Sequence, residues 1–157
     1  MADNKEKYAK ENYQLICKAL DEVELKYDKD DEKLRVRFIL EDNGNRFVPE
    51  FHISPSQQLI VLNIYPEFKI EEENMLPVAI SVCQINYGLF DGYFDLNVAE
   101  GDIAYKMTTN FWESLLSTEV IKQMLVVGFN TAKDWFATIK KISDGELDVN
   151  EFLFSDD

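Results

Sequence analysis

Between Val23 and Tyr65, four apolar runs follow one another with turn-forming residues between them. Val23, Leu25 and Tyr27 alternate with Glu22, Glu24 and Lys26, and Leu34, Val36, Phe38 and Leu40 alternate with Arg35 and Arg37. Apolar residues at every second position give a strand with one wet face. Asp28-Lys29-Asp30-Asp31 reads as the turn between these two strands. Asn43-Gly44 supplies the positive φ of a tight hairpin. A third strand runs from Arg46 to Ile53, and Pro49 inside it predicts an edge or a bulge, because proline has no N–H to give a ladder. Ser54-Pro55-Ser56 turns the chain. Leu59 to Tyr65 is apolar on both faces and predicts the most buried strand, which Pro66 ends. Strands joined by turns this short pair antiparallel, so the chain must build an antiparallel sheet.

The period then switches. Asp3 or Asn4 caps a first helix running to Leu20, in which Tyr8, Leu15, Ile16, Ala19 and Leu20 recur at helical spacing. Glu71-Glu72-Glu73-Asn74 places acids and a cap at the start of a second helix, with Pro77 in its first turn. That helix carries two apolar stripes: Val78, Val82, Ile85 and Leu89 make one, and Ile80, Cys83, Tyr87 and Phe90 the other. The pair predicts burial on two sides. Asp91-Gly92 and Glu100-Gly101-Asp102 frame a further hairpin of Phe94, Leu96 and Val98 with Ile103, Tyr105 and Met107. Ser117 or Thr118 caps a long last helix, in which Ile121, Leu125, Gly128, Ala132, Trp135, Ile139 and Ile142 form one face. The predicted order is α-β-β-β-β-α-β-β-α. It is an α+β fold with an antiparallel sheet flanked by helices, not a βαβ nucleotide-binding fold.

At 157 residues the chain is one domain's length, read as residues 1–142 with an acidic tail at 143–157 that holds six acids and no base. Thirty acids against sixteen bases give a charge of −14, which opposes binding to nucleic acid or to an anionic membrane. The charged N-terminus lacks the apolar core of a secretion signal, and no apolar stretch approaches the roughly 20 residues that span a bilayer. With two distant cysteines, Cys17 and Cys83, the expectation is a cytoplasmic protein with reduced thiols.

The catalytic inventory is short. No phosphate-cradling glycine loop occurs. His52 is the only histidine, and with the two cysteines it matches no closed zinc spacing. It reads as a partly exposed strand residue. A Cys83–His52 nucleophile pair needs an electropositive setting, whereas Cys83 falls in an apolar stripe and reads as a core residue. Asp91 and Asp95 form one of many acid pairs in an acid-rich chain. Asp144 to Glu151 matches the second half of a calcium-binding EF-hand loop, but Lys140 and Ile142 occupy the two leading ligand positions. Asp28-x-Asp30-x-Glu32 lacks the glycine of such a loop. Arg35, Arg37 and Arg46 form a small basic patch, read as a solvated sheet face. No catalytic, cofactor-binding or metal-ligating residue is therefore assigned.

Three segments carry a family resemblance. Gln84-Ile85-Asn86-Tyr87-Gly88-Leu89 is a helix ending in Asn-aromatic-Gly. Asp91-Gly92-Tyr93-Phe94-Asp95-Leu96 is a G-x-F-x-L strand, and Glu100-Gly101-Asp102-Ile103-Ala104-Tyr105-Lys106 is an acidic-Gly turn into a strand with an aromatic and a basic residue. Together with Thr131-Ala132-x-Asp134-Trp135 in the last helix, they resemble the bacterial YbjN-domain family, labelled as sensory transduction regulators. The resemblance implies a fold like that of type III secretion chaperones, a twisted antiparallel sheet flanked by helices and often dimeric. It offers no catalytic residue to carry over. Asn86, Gly88 and Gly92 read as structural signatures that end a helix and shape a turn. The expected function is a non-enzymatic protein-interaction module, chaperone-like or regulatory, with a protein partner. The alternative is a small-molecule sensor whose pocket the aromatics line. An enzyme working through His52 or the carboxylates ranks last.

Overall fold

The computed structural model describes residues 2–155. Helix α1 (Ala2–Glu22) leads into strand β1 (Tyr27–Asp30). Strands β2 (Arg35–Phe38), β3 (Leu40–Asp42), β4 (Asn45–Ser54) and β5 (Leu59–Pro66) follow. A 3-10 turn (Glu72–Asn74) opens α2 (Met75–Gly88). Then come β6 (Tyr93–Leu96), β7 (Ile103–Asn110), α3 (Thr118–Ser143) and a short α4 (Val149–Phe154). The seven strands form one sheet in the order β1-β2-β4-β5-β7-β6, with β3 beside β4, and every pairing is antiparallel.

The helices supply one layer and the sheet the other. Val36, Phe51, Leu62, Phe94 and Tyr105 turn toward Ile16 of α1, Val78 of α2 and Ile121 and Phe136 of α3, in one continuous apolar cluster. Strand alternation sends the neighbouring residues to the opposite face, which no helix covers. Val61 and Ala104 lie on that side, outside the cluster. β5 is the most buried strand, as expected, because β4 and β7 flank it on both edges.

Several expectations need correction. α1 runs two residues past Leu20, and the first strand begins only at Tyr27. The helix ends without glycine: Glu24 takes φ 57° and the Leu25 amide donates to the Leu20 carbonyl. Asp28 and Asp30, read as a turn, lie in the edge strand β1 opposite Arg37 and Arg35. The expected second strand is two. β2 pairs with residues 50–52 of β4 and β3 with residues 45–47, and the stretch of β4 between the two pairings, Val48-Pro49, faces the break at Ile39. Pro49 thus sits inside an interior strand, at a gap in the ladder on one side. In α2 only the first stripe is buried. Ile80, Cys83, Tyr87 and Phe90 are exposed, so Cys83 is not a core residue.

Of the two glycines read as signatures, only Gly92 is required by its backbone. Gly92 has φ +73°, and a Cβ there would meet the Tyr105 hydroxyl, which donates to the Asp91 carbonyl at 2.6 Å. Gly88 has neither a left-handed φ nor a close neighbour, so its conformation does not demand glycine.

Candidate partner-binding surfaces

The first surface is a groove between the C-terminal end of α1 and the middle of α3. Leu20, Val23, Leu25, Leu125, Val126 and Phe129 line it, with Leu40 of β3 on its sheet side, around about 360 Å³. Val23 and Val126 are exposed at its mouth. Lys122 stands at the rim, bonded to Glu22 at 2.6 Å and to Glu119 at 2.9 Å. The groove adjoins an unpaired strand edge: among the described residues β3 pairs with β4 alone, while β1 pairs only with β2 and stops short of it. An unpaired edge offers main-chain donors and acceptors to an added strand. The edge at the other end of the sheet is closed differently. The Asn86 side chain accepts from the Phe94 amide at 2.7 Å and donates to the Phe94 carbonyl at 3.0 Å, standing in for a neighbouring strand.

The second surface is the outer stripe of α2. Leu76, Ile80, Tyr87 and, just beyond the helix, Phe90 are exposed, Tyr87 at 88%. α2 (MLPVAISVCQINYG) contains no charged residue, in a chain that is 29% charged. Exposed apolar residues on a charge-free helix make this stripe a candidate interaction surface.

The third surface is the uncovered sheet face. One register row crosses six strands: Asp28, Arg37, Glu50, Asn63, Lys106 and Tyr93. Arg37, Glu50 and Lys106 of this row are paired. Arg37 donates to Glu50 at 2.7 and 2.9 Å, Arg35 lies between Glu50 and Asp30, and Lys106 reaches Asp95 at 2.5 Å. The expected basic patch is thus neutralised where Arg35 and Arg37 converge on the buried Glu50, while Arg46 stays exposed opposite Glu41.

The remaining sequence candidates do not assemble. His52 lies on the uncovered face and Cys83 on α2, which packs on the other face, so they do not meet. Burial, as the largest influence, pushes the His52 pKa below its ordinary value. Burial also holds the Cys17 thiol up, in its protonated form. Asp95 is engaged by Lys106, and Asp91 contributes its carbonyl to Tyr105. In the half calcium loop, Asp144 pairs with Lys140 at 2.6 Å and Asp148 caps α4 by accepting from the Asn150 amide. Among the described residues no three His, Cys, Asp or Glu side chains are grouped to hold a metal. No helix among them is long and apolar enough to cross a membrane.

Two buried amides escaped the sequence reading. Asn12 donates to the Tyr8 and Ser114 carbonyls and accepts from the Leu116 amide. Gln58 accepts from the Glu113 amide. Together they fix the loop that holds Trp112 out at 70% exposure. The signal for Asn12 was its place between Tyr8 and Ile16 on the buried stripe of α1.

Residues 12–141 match the family described as "Putative bacterial sensory transduction regulator", YbjN. The chain belongs to the YbjN family. Solved structures agree on the fold. Crystal structures similar to this YbjN-family chain include the ExsC–ExsE complex, at TM-score 0.60 and 12% identity, covering 78% of this chain and 89% of that one. YbjN from E. coli, a "putative transcription regulator", aligns at TM-score 0.56 and 10% identity over 85% of this chain and 90% of its own. The HopA1–SchA chaperone–effector complex aligns at 0.51 and 15%, over 78% and 90%. The expected secretion-chaperone-like α+β fold is therefore observed. No curated protein matches the sequence.

Proposed function

We propose that this YbjN-family chain is a non-enzymatic, cytoplasmic protein-interaction module, chaperone-like or regulatory. It takes an extended segment of a protein partner against the outer edge of β3. The observation that carries this reading is the juxtaposition of that unpaired edge with the apolar groove beneath Leu40. An added strand would satisfy the main chain of β3, and one apolar side chain would enter between Val23 and Val126. The similar folds in a chaperone–effector complex and in the ExsC–ExsE complex support a role in holding protein segments. The binding unit is residues 1–142, and 143–157 is an acidic extension of it. No catalytic, cofactor or metal residue is assigned. The charge-free stripe of α2 supports a homodimer, because two copies carrying −14 each meet at least cost where neither displays charge.

The test is affinity capture from the native cell with the wild type and with Val126→Glu, a change at an exposed groove position that leaves the core intact. A partner captured by the wild type is lost by the variant. Hydrogen exchange of the complex shows protection at residues 40–42 and 121–130. Equal capture by both chains, or protection confined to other segments, sinks the reading.

A further inference from the structure

Asn63 lies mid-way along the central strand β5, on the sheet face that no helix covers. It is only 5% exposed, yet its Oδ1 has no hydrogen-bond partner among the described residues. A buried acceptor left unpaired is a standing cost to stability, and a donor that reached it would relieve that cost. The ionic neighbours in its row both reach away from it. Glu50 on one side is held by Arg37, and Lys106 on the other extends to Asp95. What remains is a bowl of about 470 Å³, with Asn63 and the small Ala104 on its floor and Tyr65, Asp95, Asp102 and Lys106 around it.

Asp95 and Asp102 present carboxylates to the bowl, and the unpaired Asn63 Oδ1 lies buried in its floor. Each carboxylate is occupied by a lysine of the chain, Asp95 by Lys106 at 2.5 Å and Asp102 by Lys69 at 2.8 Å. Both pairs are solvent-exposed at the carboxylate and therefore weakly held. An anion would meet cations already neutralised on a molecule of charge −14. A metal would need a third ligating side chain, and none is grouped there among the described residues.

We infer that this bowl is a binding site for an organic cation, a primary ammonium or guanidinium group, and that Lys106 is the resident cation the ligand displaces. The incoming group donates one N–H to Asp95 in place of the Lys106 ammonium. Displacing that side chain opens the floor, and a second N–H reaches Asn63 Oδ1. The site is on the face opposite the groove of the proposed function and stands independently of it.

The test follows the Asn63 side-chain amide and the Ala104 backbone amide by NMR while agmatine, or arginine blocked at both ends, is added to the full chain. The neutral control is the citrulline analogue of the blocked arginine. Saturable shifts at Asn63 and Ala104 with the cationic probes alone are expected. Asp95→Asn weakens binding at least about tenfold, the worth of a charge-assisted hydrogen bond. Lys106→Met tightens it by about two- to fivefold, since an exposed pair no longer competes. Asn63→Val abolishes the localised shifts and raises the melting temperature, because it removes the unpaired acceptor. Stronger binding of blocked arginine assigns the cation to a partner's side chain, and stronger binding of agmatine assigns it to a free amine. No saturable shift, equal response to citrulline, diffuse shifts at every exposed carboxylate, or an Asp95→Asn chain that binds normally overturns the inference.

Discussion

His52 sits on the uncovered sheet face between Arg35 and Val61, half-buried. Desolvation disfavours its charged form most, and Lys106 and Arg35 add to this. Glu50 opposes them. The folded state therefore takes up the proton at lower pH than the unfolded chain, whose histidine titrates near 6.5. Where the unfolded state binds more protons, stability falls as pH falls. The contribution of His52 is present above about pH 6.5 and is lost as pH drops below it toward the depressed folded value. Carboxylates titrate near 4, so melting curves between about pH 7.5 and 5.5 isolate this group. The wild type loses melting temperature over that range, and His52→Gln loses less. Parallel curves for the two chains would show that the imidazole plays no part.

Among the elements, α2 is hydrogen-bonded to β6 through the side chain of Asn86. Asn86 bonds both main-chain groups of Phe94, at 2.7 and 3.0 Å, on the edge strand of the sheet. Asn86→Ala removes both bonds and leaves those groups to water at the rim of the core. The expected cost is about 2 kcal/mol, at roughly 1 kcal/mol per bond. Urea denaturation measures it, and faster hydrogen exchange at Phe94 locates it. An unchanged midpoint would mean that the edge needs no such closure. The sequence motif marks Asn86 as a helix terminator, and the structure adds its bonds to the main chain of Phe94. Alternation made β4 and β7 legible, because a strand against helices on one face must alternate or slip, and β5 was legible as a short run apolar on both faces. The β1 boundary was not legible, since Glu24 reverses the chain in a conformation usually signalled by glycine. Nor was the outer stripe of α2. Periodicity finds apolar positions on a helix, but only the packed neighbours determine which of them stay uncovered. For the same reason the groove was hidden, as its walls come from residues 20–25 and 121–129, a hundred positions apart. Asn63 gave no signal either, because its oxygen is unpaired only once the neighbouring donor Lys106 has turned to Asp95.

At the scale of the molecule, charge and burial work against each other. The chain carries −14, yet α2 carries none of it and shows Leu76, Ile80 and Tyr87 to solvent. If two copies pair through that stripe, the association is driven by apolar burial and opposed by the repulsion of the two bodies. Burial of apolar surface is not screened by salt, whereas the repulsion is. Raising ionic strength from about 0.1 M to about 1 M shortens the Debye length from about 10 Å to about 3 Å. The dimer dissociation constant, measured by sedimentation, therefore falls with salt. Ile80→Glu puts a like charge on each facing helix and keeps the chain monomeric throughout the range. An organic cation at the Asn63 bowl responds in the opposite sense, because there the same charge attracts and salt weakens binding. A dimer that dissociates as salt rises would place the contact on an ion-paired surface instead. A dimer indifferent to Ile80→Glu would move it off α2.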